Sequence, residues 1–137
     1  MALDNDRLIK TILQNSKTIA VVGISDKEYK PSYSVARYLI ANNYTIYPVN
    51  PNLSQVLERE CFNNLRAIKE PVDIVNIFRQ TEYVLPIVEE AILIGAKTIW
   101  MQLGIINKEA AALAGEAGLT VIMDHCIKIE HNRIFNR

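Results

Sequence analysis

The chain has 137 residues, 50% of them hydrophobic and 22% charged, and its fifteen basic and fifteen acidic side chains cancel to no net charge. That length suits one domain with its own core, without help from metals or disulfides. A neutral chain with no basic face and no apolar run of membrane-spanning length excludes long-range attraction of nucleic acid or an anionic bilayer, so any anion must be held by local geometry.

The first segment, Asp4 to Asn15, sets Leu8, Ile9, Ile12 and Leu13 on one helical stripe and lacks the pattern of a signal peptide. A cytoplasmic location is expected. Cys61 and Cys126 stand far apart and fit no metal or redox motif, so reduced thiols are the expectation. "KTIAVVG" is a continuous β-branched run ending in glycine, as for a strand covered on both faces. "SYSVARYLIANN" places Val35, Tyr38 and Leu39 at helical spacing, and Asn42–Asn43 stop it. "YTIYPV" predicts the second strand, ended by Asn50–Pro51. A less regular stretch around "VLERECFNNL" precedes the third strand, "DIVNIF".

Thr81 and Glu82 open a helix with Val84, Ile87, Val88 and Ala91 on one face. Pro86 near its first turn predicts a later start for the regular part, and Gly95 ends it. "TIWMQL" is the fourth strand, Asn107 caps "KEAAALAGEA", Gly118 stops that helix and "TVIMD" is the fifth strand. The tail from Cys126 to Arg137 is mixed and expected against the sheet edge. Alternating strands and helices with short connections predict a single α/β domain, 1–137, with an N-terminal helix at 4–15 and a core at 17–131. The expected architecture is Rossmann-like, a doubly wound parallel five-stranded sheet in the order 3-2-1-4-5, helices on both faces. Ligands of such sheets bind outside the carboxyl ends of the strands, where the winding reverses.

The first of those ends reads as a phosphate site. Gly23 permits a tight turn, and Ile24 and Ser25 lead into a polar loop reaching Lys30-Pro31-Ser32. Pro31 and Ser32 suit a helix start, whose N–H groups and positive dipole end favour an anion. Ser25 and Ser32 add hydroxyls, and Lys30 adds a charge. There is no G-x-x-x-x-G-K-[ST] and no full G-x-G-x-x-G. The end of strand 2, Pro48-Val49-Asn50-Pro51, also lacks the acid that a NAD site uses for its ribose. NAD(P) binding, as in a redox sensor, therefore stands as an alternative. A phosphate-receiver domain is disfavoured, since strand 1 ends without an acidic cluster.

The ordered stretches "IAVVGIS", "KPSYSVARYL", "YPVNP", "VDIVNIFR", "IVEEAILIGAKTIWMQLGI" and "AGLTVIMDHCIKIEH" resemble the small stand-alone CoA-binding proteins, whose fold is that of the CoA-binding N-terminal domain of the succinyl-CoA synthetase α subunit. They cover nearly all of the chain from Thr18 to His131. The resemblance implies coenzyme A or acyl-CoA as ligand, lying across the switch point. Gly23, Ser25 and Lys30 would hold its phosphates, Asn50 and Pro51 would flank the adenosine, Phe78 and Arg79 would form another wall, and Gln102 and Gly104 match the family's Q-L-G turn. Three positions depart from the pattern. Asn43 and Glu58 stand where glycine is common, and His125 replaces a frequent arginine.

Other residues admit plainer readings. Cys126, with Asp124 and His125 nearby, invites a thioester chemistry, but a nucleophile needs a base in the right geometry, and a buried structural thiol is expected. On a strand, Asp124 and Cys126 would share one face and His125 the other. His125 and His131 complete no metal set. Trp100 is read as a core aromatic. Arg79, at a ligand edge, must be solvated, paired or bound. Glu89–Glu90 reads as a solvated helix face. The expected function is binding of CoA or acyl-CoA without catalysis, no metal being required. No nucleic-acid or membrane partner is expected, and a homodimer is left open.

Overall fold

The structure, a computed structural model, describes residues 2–136. In chain order the elements are α1 (Ala2–Asn15), β1 (Thr18–Val22), α2 (Pro31–Ala41), β2 (Thr45–Val49), β3 (Gln55–Val56) and β4 (Arg59–Glu60). They continue with β5 (Ile74–Ile77), α3 (Val84–Leu93), β6 (Thr98–Met101), α4 (Lys108–Glu116), β7 (Thr120–Ile122) and α5 (Ile127–Phe135). The main sheet is parallel in the order β2-β1-β5-β6-β7.

Every residue of β5 and β6 is buried, because helices cover both faces and each strand side needs an apolar lining. Ile19, Val21, Ile74 and Trp100 face α1, α2 and α5, whereas Ala20, Val22, Val75, Ile77, Ile99 and Met101 face α3 and α4. This two-residue alternation is the strand period at work. The expected α/β doubly wound parallel sheet is therefore what the chain forms.

One strand takes a different place in the order. The run Asp73–Phe78, expected outside β2, lies beside β1, with Ile19 opposite Ile74. The place outside β2 is held by Phe62 alone, bridging Val49 in parallel. With that bridge counted third, the order reads 3-2-1-4-5 and β7 adds a sixth position. Asp73 explains the choice. Its carboxylate accepts from the Lys17 and Thr18 N–H groups at 2.7 and 3.2 Å, clamping the entrance of β5 to that of β1. Burial alone would raise the Asp73 pKa, but these two N–H bonds and the Lys97 ammonium outweigh it and hold it below the usual range.

The tail, expected at the sheet edge, instead forms α5 and packs on α1 and α2 over one sheet face. Arg133 joins Asp6 at 2.7 and 3.0 Å, tying α5 to α1. Of the α1 stripe, Ile9, Ile12 and Leu13 are buried but Leu8 is exposed. The regular part of α3 does start late, at Val84 after a 3-10 turn at Thr81–Tyr83. Asn107 caps α4 by accepting from the Ala110 N–H at 2.9 Å, and Asn43 adopts φ 74°, the left-handed turn that asparagine tolerates.

Within the stretch expected to be irregular, β3 and β4 pair as a hairpin. Its turn residues Leu57 and Glu58 have φ of 52° and 61°, a geometry that prefers Asn-Gly. Leu57 is held by packing against the core, whereas Glu58 is exposed and carries the strain for nothing. Glu58→Gly is expected to stabilise the protein by about 0.5–1 kcal/mol in urea unfolding, the relief of left-handed strain less glycine's entropy cost. A lower urea midpoint would refute this account of the turn.

His131 is buried among Tyr38, Tyr44 and Phe135. The Tyr38 hydroxyl lies 2.8 Å from its Nδ1 and accepts from Asn136 Nδ2. Burial holds the His131 pKa below 6.5. The unfolded chain then binds a proton that the fold rejects, so stability is full above about pH 6.5 and falls as pH drops through that value. The melting temperature should fall between about pH 7.5 and about pH 5.5, and His131→Gln should remove most of that slope. An unaltered slope in the variant would place the titration elsewhere.

Candidate functional site

At the end of β1, Gly23 turns with φ 86° while its N–H still donates to Val49 O at 2.9 Å. On the other side the Phe78 N–H donates to Val22 O at 2.8 Å. A Cβ at Gly23 would lie 2.9 Å from Arg79 Cδ and 3.0 Å from Phe78 O, so glycine is required both by φ and by space. The loop beyond is braced internally. Ser32 Oγ accepts from the Ser25 N–H, and Ser25 Oγ accepts from the Lys27 N–H, each at 3.0 Å. Lys30 caps α2 with extended backbone and no side-chain bond, and Pro31 opens the helix.

Three depressions meet at this edge. The first, about 250 Å³, is lined by Gly23, Ser25, Lys30, Pro31, Ser32 and Phe78. The second, about 440 Å³, holds Gly23, Asn50, Pro51, Asn52, Asn63, Asn64, Arg79 and Glu90 in its wall. The third, also about 440 Å³, runs from Phe78 and Arg79 to Leu103, Gly104 and Ile105. Gly23, Phe78 and Arg79 are each shared by two of the three, which makes the set continuous.

The Arg79 guanidinium is half-buried, lies 4.4 Å from the centre of the Tyr83 ring and makes no ion pair among the described residues. Among the described residues, the salt bridge to a neighbouring loop that would have explained it is absent. Lys30 is exposed, 5.8 Å from the Tyr29 ring, and likewise has no carboxylate partner among the described residues. Two cations thus flank the glycine turn and the α2 start without an internal counter-ion.

Other predicted residues act from behind. Ile24 is fully buried and its carbonyl accepts from Asn50 Nδ2 at 2.8 Å. Asn50 Oδ1 accepts from the Asn52 N–H at 2.8 Å, so its side chain joins the two loops rather than projecting from them. The Cys61 thiol donates to Asn50 O at 3.5 Å, and burial pushes that thiol up despite the bond. Gln102 is buried, and its Oε1 accepts from Asn76 Nδ2 and from the Ile127 N–H, both at 3.0 Å. It braces the start of α5. Gly104 does reach the third depression, with φ 84° and its N–H donating to Asp124 Oδ1 at 2.7 Å.

Asn63, Asn64 and Glu90 were not anticipated. Glu90, expected on a solvated helix face, is half-buried. Its oxygens take the Leu65 N–H at 3.3 Å and Arg66 Nε at 3.0 Å. Its spacing from Ile87, one turn earlier and in the same wall, is the signal that could have found it. Asp124 and Cys126 share no strand face, since β7 ends at Ile122 and Asp124 sits at φ 62°. His125 Nδ1 donates to Met123 O at 2.7 Å. No hydrogen bond joins Asp124, His125 and Cys126 to one another among the described residues. Trp100 is fully buried, its Nε1 donating to His125 O at 2.9 Å. Among the described residues no group of three His, Cys, Asp or Glu is placed to hold a metal, and no helix is long and apolar enough to cross a membrane.

Known proteins share this layout. The chain is 43% identical over 123 residues to the uncharacterized protein YneT of Bacillus subtilis (strain 168), covering 90% of this chain and 91% of that one. It is 32% identical over 83 residues to acetate–CoA ligase [ADP-forming] II of Archaeoglobus fulgidus, 59% of this chain but only 12% of the ligase. Among solved structures, a hypothetical protein from Pyrococcus horikoshii OT3 superposes with a TM-score of 0.92 at 37% identity, covering 94% of this chain and 91% of that one. The CoA binding domain family matches residues 17–132, from the Lys17 clamp before β1 to just past the buried His131 of α5, and the chain belongs to that family.

Proposed function

We propose that the protein binds coenzyme A along the carboxyl edge of its sheet as a non-catalytic module. The adenosine lies in the Asn50–Pro51 depression, the phosphates over Gly23, Ser25, Ser32 and Lys30, and the remaining arm runs past Phe78 and Arg79 towards Gly104. Ile24 and Gln102 serve indirectly, by holding the loops that make contact. The observation that carries this reading is Arg79, a half-buried cation without a carboxylate partner among the described residues where the depressions meet. A charge so placed is stabilised by an anionic ligand.

Glu90 lies on α3 and not at the end of β2, where a dinucleotide's ribose takes its acid, and its oxygens accept from the Leu65 N–H and Arg66 Nε. Cys126 lines none of the three depressions, so its placement lends the thioester-chemistry reading no support. Calorimetry with CoA, NAD and ADP tests the proposal. Saturable heat with CoA and none with NAD is expected; heat with NAD and none with CoA would overturn it. Lys30→Ala should weaken CoA at least about fivefold if the ammonium makes one charge-assisted contact. Unchanged affinity would return Lys30 to the solvated surface.

A further inference from the structure

CoA is anionic in two places, at its diphosphate and at its ribose 3′-phosphate, and the carboxyl edge of the sheet offers two cations at separate positions. Lys30 stands with Ser25, Ser32 and the start of α2 in the first depression. Arg79 stands with Asn50 and Pro51 in the second, whose wall does not include Lys30. The Arg79 stem passes over the glycine turn, where a Cβ on Gly23 would meet its Cδ at 2.9 Å, and its head lies 4.4 Å from the centre of the Tyr83 ring. Contact with a ring takes up none of a guanidinium's N–H donors, whose fork matches the oxygens of a phosphate. Glu90, the acid in the same wall, is engaged elsewhere, by Arg66 Nε at 3.0 Å and the Leu65 N–H at 3.3 Å.

We propose that Arg79 takes the 3′-phosphate of CoA and so selects CoA over dephospho-CoA, the same molecule with a plain 3′-hydroxyl. The inference rests on the reading of this edge as a CoA site and assigns one specific contact within it. Its warrant is position. In the ligand the ribose joins the adenine to the diphosphate, and the 3′-phosphate hangs from that ribose. With the adenosine against Asn50 and Pro51 and the diphosphate over the start of α2, the ribose falls between Asn50 and Gly23, in the depression whose wall includes Arg79. The pantetheine arm that continues past Arg79 is uncharged and cannot act as counter-ion to a half-buried cation. A phosphomonoester carries about one and a half to two negative charges at neutral pH, and its oxygens can accept two guanidinium N–H bonds side by side.

Calorimetry with CoA and dephospho-CoA measures the selection on the unaltered protein. CoA should bind at least about tenfold tighter, the worth of a hydrogen bond between charged groups. Arg79→Met, which keeps an unbranched stem over Gly23, should bring the two affinities within about threefold of each other, chiefly by weakening CoA. Arg79→Lys, which keeps the charge but not the fork, should retain part of the preference. Urea unfolding of both variants checks that each is folded. Lys30→Ala should weaken both ligands by a similar factor and leave their ratio unchanged. Equal affinities for the two ligands in the unaltered protein would overturn the assignment and leave CoA binding intact. A preference that survives Arg79→Met would overturn it by placing the 3′-phosphate elsewhere. Equal weakening of both ligands by Arg79→Met would do the same by placing the guanidinium on the diphosphate. Absence of binding by either ligand would sink the CoA reading itself.

Discussion

Gly23→Ala is expected to destabilise the protein by about 2–4 kcal/mol and to abolish measurable CoA binding. Two costs combine. An alanine at φ 86° sits in the left-handed region, worth about 1–2 kcal/mol by itself. Its Cβ would also approach Phe78 O to 3.0 Å, and a backbone carbonyl at a packed strand end cannot yield as a flexible side chain can. The adjustment would push Arg79 out of the groove and open the β1–β5 edge, which is where the ligand's phosphates are proposed to lie. Gly95→Ala is the matched control, because Gly95 has φ 76° and nothing stands within 4 Å of the place its new methyl group would take. The control should show the conformational cost alone, about 1–2 kcal/mol in urea unfolding, with CoA affinity unchanged. Equal losses in the two variants would mean that close packing at Gly23 contributes nothing.

Gln102→Leu is expected to cost about 2–4 kcal/mol while changing the CoA affinity of the folded protein less than tenfold. The substitution keeps the side-chain size but removes the single oxygen that serves both the Ile127 N–H and Asn76 Nδ2. Asn76 Nδ2 would keep only its long 3.5 Å contact with Trp100 O, and the Ile127 N–H would lose the acceptor it has. The double variant with Asn76→Leu should cost less than the sum of the two single changes, since it removes one of the stranded groups together with its lost partner. The measurement separates two roles. A large loss of CoA affinity at unchanged stability would make Gln102 a ligand contact, whereas the buried position predicts the opposite.

That contrast shows where local information ends. The strand runs, the Gly23 turn, the Asn107 cap and the late start of α3 are written in short windows. β-branched runs, capping side chains and proline act on their own backbone or on neighbours a few residues away. The turn at Gly23 and the helix start at Lys30-Pro31-Ser32 were visible for the same reason.

Position in the sheet, and which way a polar side chain points, depend on partners far along the chain. The Asp73 carboxylate meets N–H groups more than fifty residues away and thereby seats β5 beside β1. Glu90 turns from a solvated face because the 3-10 turn at Leu65–Ala67 offers it a donor. The helix of the tail needed α1 and α2 to cover its apolar side before its period had meaning. Composition and periodicity by themselves determined a parallel α/β sheet with a glycine turn and a helix start at the end of its first strand. Only the tertiary structure decided that Gln102 and Ile24 brace the groove from within and that Arg79 stands at its centre without an ion pair among the described residues, because burial and hydrogen-bond satisfaction are properties of the packed chain and not of any one segment.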